Sequence, residues 1–333
     1  MSSFINTRRA VLAAIAATGL AGLAPAGAQA QATATPAIAW PSQITIVVPF
    51  PPGASNDTFA RIIAQKLGPR LGVSVIVDNK PGASGNIGAG FVSRAQPNGA
   101  TLLLTSSSFP ASAAIAPNLP FDPLTGLTPV AQLAKGPMIV AVGPESPYRS
   151  LAELLAAAKD KGKVTFGTAG VGSINQMANE MLAQMAKVEM THVSYRGIGP
   201  AITDLMSGQI QMTIASFPSI HGQVKAGKVR ALAVTSPARS PFAPDLPPVA
   251  QTVPGYSVEL WWGIYAPGGM AAGMIEALNR EIGAIVAEKE MQDRFAQEGA
   301  VASALSAAEF AKITANDLAT WRAIAKERNI KAE

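Results

Sequence analysis

Ile44-Thr45-Ile46-Val47-Val48-Pro49-Phe50-Pro51-Pro52-Gly53-Ala54-Ser55-Asn56-Asp57 decides the fold. Its first five residues are β-branched and mostly apolar, bounded by Trp40-Pro41 before and Pro49 after. A short continuous run of that kind predicts a buried strand. A small-residue loop follows, and then Phe59, Ile62, Ile63, Leu67 and Leu71 recur at helical spacing. Residues 73–77 read as a strand, 85–95 as a helix and 101–105 as a strand. The β-α-β-α-β order predicts a parallel sheet with right-handed crossovers.

A second round begins at Met138-Ile139-Val140-Ala141-Val142. Ser150-Leu151-Ala152-Glu153 and Ser173-Ile174-Asn175-Gln176 have the form of capping boxes, each opening a helix. Short strands are expected at 164–166, 192–195, 210–214 and 231–235, with helices between them. A third round has a strand at 263–266 and helices at 271–288, 290–297 and 306–328, the last opened by Ser306-Ala307-Ala308-Glu309. If the strand at 263–266 returns to the first sheet, the chain crosses between two lobes near Val140 and near Trp261. Lobe 1 is then 40–140 with 261–333, and lobe 2 is 141–260. Two crossings make a hinge and a closable cleft.

Three segments share one design of strand, small-residue loop and helix start. They are Phe50, Gly53, Ala54, Ser55, Asn56 and Asp57; Thr168, Ala169, Gly170, Val171, Gly172 and Ser173; and Arg196 with Gly197. Open α/β sheets bind ligands beyond the carboxyl ends of their strands. Helix starts there present unpaired N–H groups and a partial positive charge, which suit an anion. Each loop alone reads more readily as a tight turn with a good cap, and Ser55, Asn56 and Ser173 are good N-cap residues whatever the function. Three together point to a site. Ser106, Ser107 and Ser108 follow the third strand, either as hydroxyl donors or as a flexible loop.

No catalytic constellation emerges. There is no G-x-S-x-G elbow, H-E-x-x-H motif or P-loop, and in the pattern begun by Gly170-Val171-Gly172, Asn175 stands where the last glycine should be. Cysteine is absent, which excludes disulfides, thiol nucleophiles and thiolate metal sites. His192 and His221 are far apart and lack metal-ligand spacing. A lone Asp57 at a helix start is a cap or dipole partner before it is a base. No cofactor is expected.

The N-terminus has the order of a secretory signal: Arg8-Arg9, an apolar stretch to about Leu23, then Pro25 and Ala28-Gln29-Ala30. Residues 1–30 read as the signal and 31–39 as a leader. The Thr7-to-Leu12 segment also resembles a twin-arginine signal, so the export route stays open. Cleavage would remove two arginines and no acid, lowering the net charge from +5 to +3. With no basic cluster among aromatics, nucleic-acid binding is not supported.

Several stretches together resemble the Bug (Bordetella uptake gene) family, the extracytoplasmic receptors of tripartite tricarboxylate transporters. They are Trp40-Pro41 with 44–50 and 53–61, 78–88 (Asp-Asn-Lys-Pro-Gly-Ala-Ser-Gly-Asn-Ile-Gly), 167–173, 195–197 with Asp204-Leu205 and Gly208-Gln209, and 225–236. The resemblance implies an α/β type II periplasmic-binding fold with two lobes joined by a two-strand hinge. It implies a periplasmic protein that holds a small carboxylate through backbone amides and ordered water and delivers it to membrane transporter subunits, and a monomer fits a cleft that must open. By position, residues 50–57, 168–173 and Arg196-Gly197 would line the cleft. Asp57 matches the acid after the family's first loop, either bonding that loop and helix start or touching ligand. Two departures stand out. Gly53-Ala54-Ser55 replaces a frequent Gly-Gly-Gly, and Ala215-Ser216 replaces a frequent Asp-Asn, with Ser216 a further candidate ligand residue. A missing acid there suits ligands without an amine, such as a plain di- or tricarboxylate or an aromatic acid. The alternatives are an exported enzyme acting on a small acid and a ligand sensor feeding a membrane partner.

Overall fold

The computed structural model describes residues 38–332, so the export segment and the leader as far as residue 37 lie outside the described residues. The apolar run Ile44-Thr45-Ile46-Val47-Val48 lies in β1 (Gln43–Val48), and Ile44, Ile46, Val47 and Val48 are fully buried. It is followed by α1 (Ser55–Leu71), β2 (Ser74–Asn79), α2 (Asn86–Ser93), β3 (Thr101–Ser106) and α3 (Ser108–Ile115). β1 pairs in parallel with both β2 and β3, the outcome that the β-α-β order requires. Phe59, Ile63 and Leu67, one helical face of α1, pack on Ile44, Ile46 and Val48.

Next comes β4 (Leu127–Val142), a strand of 16 residues. The sequence predicts only its second part, because Pro129, Gln132, Lys135, Gly136 and Pro137 interrupt the apolar pattern. In the fold these polar groups are satisfied: Ser303 Oγ donates to Gln132 Oε1 at 2.6 Å, and Lys135 pairs with Glu259 at 2.9 Å. The remaining elements are α4 (Leu151–Ala157), β5 (Thr165–Thr168), α5 (Ile174–Ala186), β6 (Thr191–Ser194), α6 (Ile198–Met206), β7 (Met212–Ser216), α7 (Phe217–Lys225), β8 (Arg230–Val234), β9 (Glu259–Pro267), α8 (Ala272–Val286), α9 (Lys289–Gln297), β10 (Val301–Ala302) and α10 (Ala307–Glu327).

The strand order is β2-β1-β3-β9-β4-β7-β5-β6, with β8 and β10 also on β4. β9 returns to the first half and lies antiparallel between β3 and β4. β4 changes partners abruptly. Residues up to Pro137 pair with β9, whereas Met138 onward pairs with β7 and Ile139 onward with β8. The chain returns at the same level: the Val258 amide donates to the Thr235 carbonyl, and the next residue, Glu259, pairs with Pro137. The change of strand partners therefore falls at 137–138 on β4 and at 258–259 on the returning chain.

Two large apolar cores fill the two halves. One contains Ile44, Leu102, Trp262, Leu278 and Phe295; the other contains Val140, Phe166, Met177, Leu182 and Ile214. Ala111 of α3 and Trp321 and Ile324 of α10 belong to the second core, although they fall in the first half by sequence. Ser306 and Glu309 form a full capping box. The two earlier ones are shifted by one residue, since Glu153 takes the amide of Arg149 and Gln176 that of Gly172 instead of the cap residue's own.

Candidate functional site

The first loop is set by Asp57. Its Oδ2 accepts from the Gly53 amide at 2.9 Å and from Arg61 Nε at 3.0 Å. Its Oδ1 accepts from Asn79 Nδ2 and from Arg61 Nη2, both at 2.9 Å. Burial on its own would raise the pKa of this carboxyl. The hydrogen bonds from Arg61, Gly53 and Asn79 and the Arg61 charge outweigh that and hold it at about 2. With both oxygens filled, Asp57 bonds the loop and helix start.

The helix cap is not where the sequence placed it. Ala54 is the N-cap of α1, with φ −72° and ψ 161°, and it has no side chain to accept a bond. Ser55 and Asn56, the expected caps, lie inside the first turn. The first main-chain bond of the helix runs from Thr58 to Ala54, so the amides of Ser55, Asn56 and Asp57 have no partner among the described residues. Asn56 is buried, and its Oδ1 is also unpartnered. Ser55 donates its hydroxyl to Glu298 at 2.7 Å.

The second loop follows β5. Ser173 caps α5 by accepting from the Gln176 amide at 3.3 Å and donates to the Gly170 carbonyl at 2.7 Å. Gln176 Oε1 takes the Gly172 amide at 2.8 Å. Thr168 is fully buried, and its Oγ1 lies 2.6 Å from His192 Nε2. His192 stacks on Phe166 and reaches Gln176 at 3.3 Å; burial lowers its pKa, so the neutral imidazole is favoured. The histidine thus braces this loop from beneath. Two amides expected to be free, those of Gly53 and Gly172, are already engaged by side chains of their own loops.

The other candidates gather at the same strand ends. β5, β6 and β7 are mutually parallel, which brings Ala169, Arg196-Gly197 and Ser216 to one edge. The Gly197 amide donates to the Ala169 carbonyl at 3.3 Å. Arg196 is exposed and makes no ion pair among the described residues. In the first half, Ser106 ends β3 and Ser107 is the N-cap of α3, both buried, with Ser108 half-buried, so this triplet is a strand end and helix start and not a flexible loop. Ser107 Oγ is buried without a partner. Ser216 starts α7 and shares a 2.6 Å bond with Ser219. Phe50 and Val171 are half-buried.

The two halves meet at both sides of these loops. Gly172 has φ +75°, and a methyl there would lie 3.0 Å from Ile115 Cγ1 of α3. On the other side Gly299, with φ +63°, abuts Phe217: a methyl would come within 2.6 Å of Phe217 Cβ. Its neighbour Glu298 holds Ser55, so one loop touches the first residue of α1 and the first of α7. Sequence reasoning missed Glu298. It belongs to no motif and lies 243 residues from its partner.

No helix among the described residues is long and apolar enough to cross a membrane. The family model described as "Tripartite tricarboxylate transporter family receptor" matches residues 59–330. The protein BugT of Bordetella pertussis is 31% identical over 292 residues, covering 86% of this chain and 90% of its own. A solved R. palustris structure with adipate superposes with a TM-score of 0.75 at 31% identity, over 88% of this chain and 99% of that one. MatC from Rhodopseudomonas palustris, with bound malate, gives 0.72 at 27% identity, over 86% and 99%. The chain belongs to the tripartite tricarboxylate transporter family receptors, which are periplasmic solute-binding proteins and not enzymes.

Proposed function

We propose that this chain captures a small carboxylate, a di- or tricarboxylate or an aromatic acid, and delivers it to the membrane subunits of a tripartite tricarboxylate transporter. Residues 40–140 with 261–333 form one lobe and 141–260 the other, and the ligand lies where the strand-end loops of the two meet. The observation that carries this reading is the start of α1. Ala54 leaves the first-turn amides of Ser55, Asn56 and Asp57 unclaimed, while Asp57 locks the loop that presents them. A carboxylate seated there would take charge-assisted bonds from a preorganised backbone. Adipate and malate in two relatives support the ligand class. Arg196 supplies an exposed cation on the opposite half, and Ser107 an unpartnered hydroxyl. Residues 1–30 act as the export signal, and the chain works as a monomer in the periplasm.

Thermal shift and calorimetry against mono-, di- and tricarboxylates and aromatic acids test the proposal. A ligand at 100 times its dissociation constant should add about 2.7 kcal/mol of stability. No shift with any member of the panel would overturn it.

A further inference from the structure

Glu298 is an acid at a site proposed to bind anions. Its side chain is 11% exposed, and its nearest cation, Arg294, stands 3.9 Å away at the limit of an ion pair. Its Oε2 accepts from Ser55 at 2.7 Å, on the first residue of α1. The next residue, Gly299, has a left-handed backbone and is packed so closely on Phe217 that no side chain fits. Phe217 directly follows Ser216. The carboxylate of Glu298 is therefore held at the start of α1, and the residue after it packs on the first residue of α7, which directly follows Ala215-Ser216 at the end of β7.

A negative group in that position does two things. It opposes a second anion placed close to it, and it accepts from a donor presented to it. We infer that Glu298 is a specificity-determining residue that selects carboxylates bearing a hydrogen-bond donor, a hydroxyl or ammonium, beside the carboxylate held by α1. The inference rests on the carboxylate-binding reading and narrows it. The acid comes from the segment after α9, so the chain recognises a donor without an acid at the end of β7.

The test compares ligand pairs that differ by one donor: malate with succinate, aspartate with succinate, and mandelate with phenylacetate. Calorimetry on the purified protein should give at least about tenfold preference for the donor-bearing member of a pair that binds, the discrimination expected when a charged acceptor meets or lacks its donor. Glu298→Gln keeps the shape and an acceptor for Ser55 but removes the charge. It should reduce that preference to about threefold or less while the plain acid binds as well or more tightly. Ser55→Ala, which frees the carboxylate from its anchor, should reduce the preference in the same direction. An unchanged ratio in Glu298→Gln, with both members still binding, would overturn the role of Glu298 and leave carboxylate binding intact. Binding of no carboxylate by the parent protein would overturn both. A structural role alone would lower the melting temperature and leave the ratio unmoved.

Discussion

Asn79 Nδ2, on the last residue of β2, lies 2.9 Å from Asp57 Oδ1 in α1 and 3.1 Å from the carbonyl oxygen of Phe50. One amide group thereby joins a strand, a helix start and the loop between β1 and α1. The shape of that loop is fixed before any ligand arrives.

Replacing Asp57 should expose how much that fixing contributes. Its pKa is lowered in the folded protein, from 3.8 to about 2. The stabilisation it gives is therefore complete above pH 4 and disappears as pH falls through about 2. Asp57→Asn should lose about 2 kcal/mol at pH 7, and its stability curve should converge on that of the parent toward pH 2. Denaturant unfolding across this range checks it. A constant gap at all pH values would contradict the assignment.

Ala54→Ser should trade binding for stability. Ala54 already has cap dihedrals, so a serine hydroxyl could accept from the Asn56 or Asp57 amide without backbone change. The free protein should gain about 1 kcal/mol. A carboxylate would then meet an amide already engaged, and affinity should fall several-fold. Thermal melting and calorimetry on the same preparations separate the two effects.

A second pH response belongs to Asp317 on α10. Burial lifts its pKa to about 6, and the bond donated by Trp261 Nε1 at 2.8 Å only partly offsets this. The fold favours the protonated acid, so this group costs stability progressively as pH rises from about 4 to about 6, with no further change above that. Asp317→Asn keeps an acceptor for Trp261 and carries no charge. It should be more stable than the parent by about 2 kcal/mol at pH 8 and equal to it below pH 4. Trp261 is buried, and its emission should change with a midpoint near pH 6 in the parent alone.

The parts of the fold written in local pattern were legible. The Ile44-to-Val48 run between prolines, the helical spacing of Phe59, Ile63 and Leu67, and the Ser306-to-Glu309 box each describe a neighbourhood of a few residues. Features that depend on distant partners were hidden. Gln132 and Lys135 look like strand breakers until Ser303 and Glu259 arrive to satisfy them. Ser106-Ser107-Ser108 leaves a flexible loop open, yet the proline that follows at 110 is tolerated in a first helical turn and α3 begins there. At α1 the sequence offers two better caps than Ala54, and propensity alone selects the wrong one. The loops of the candidate site were nameable, but the amides already taken by Asp57 and Gln176 were not, and neither was Glu298.

β9 lies between β3 and β4 in the sheet although it follows both of them by more than a hundred residues in the chain. A chain that stops before Glu259 has β3 and β4 as two open edges, each with a row of unpaired main-chain groups. Residues 138–234, by contrast, supply all the strands of the second half themselves. The strand set of the second half is thus complete without β9, although its core still draws on Ala111, Trp321 and Ile324, whereas the first half lacks its central strand until the C-terminal segment arrives. Until then the protein is a template for pairing with other chains. Truncation ahead of Pro267 should accordingly give aggregation and not a smaller folded domain.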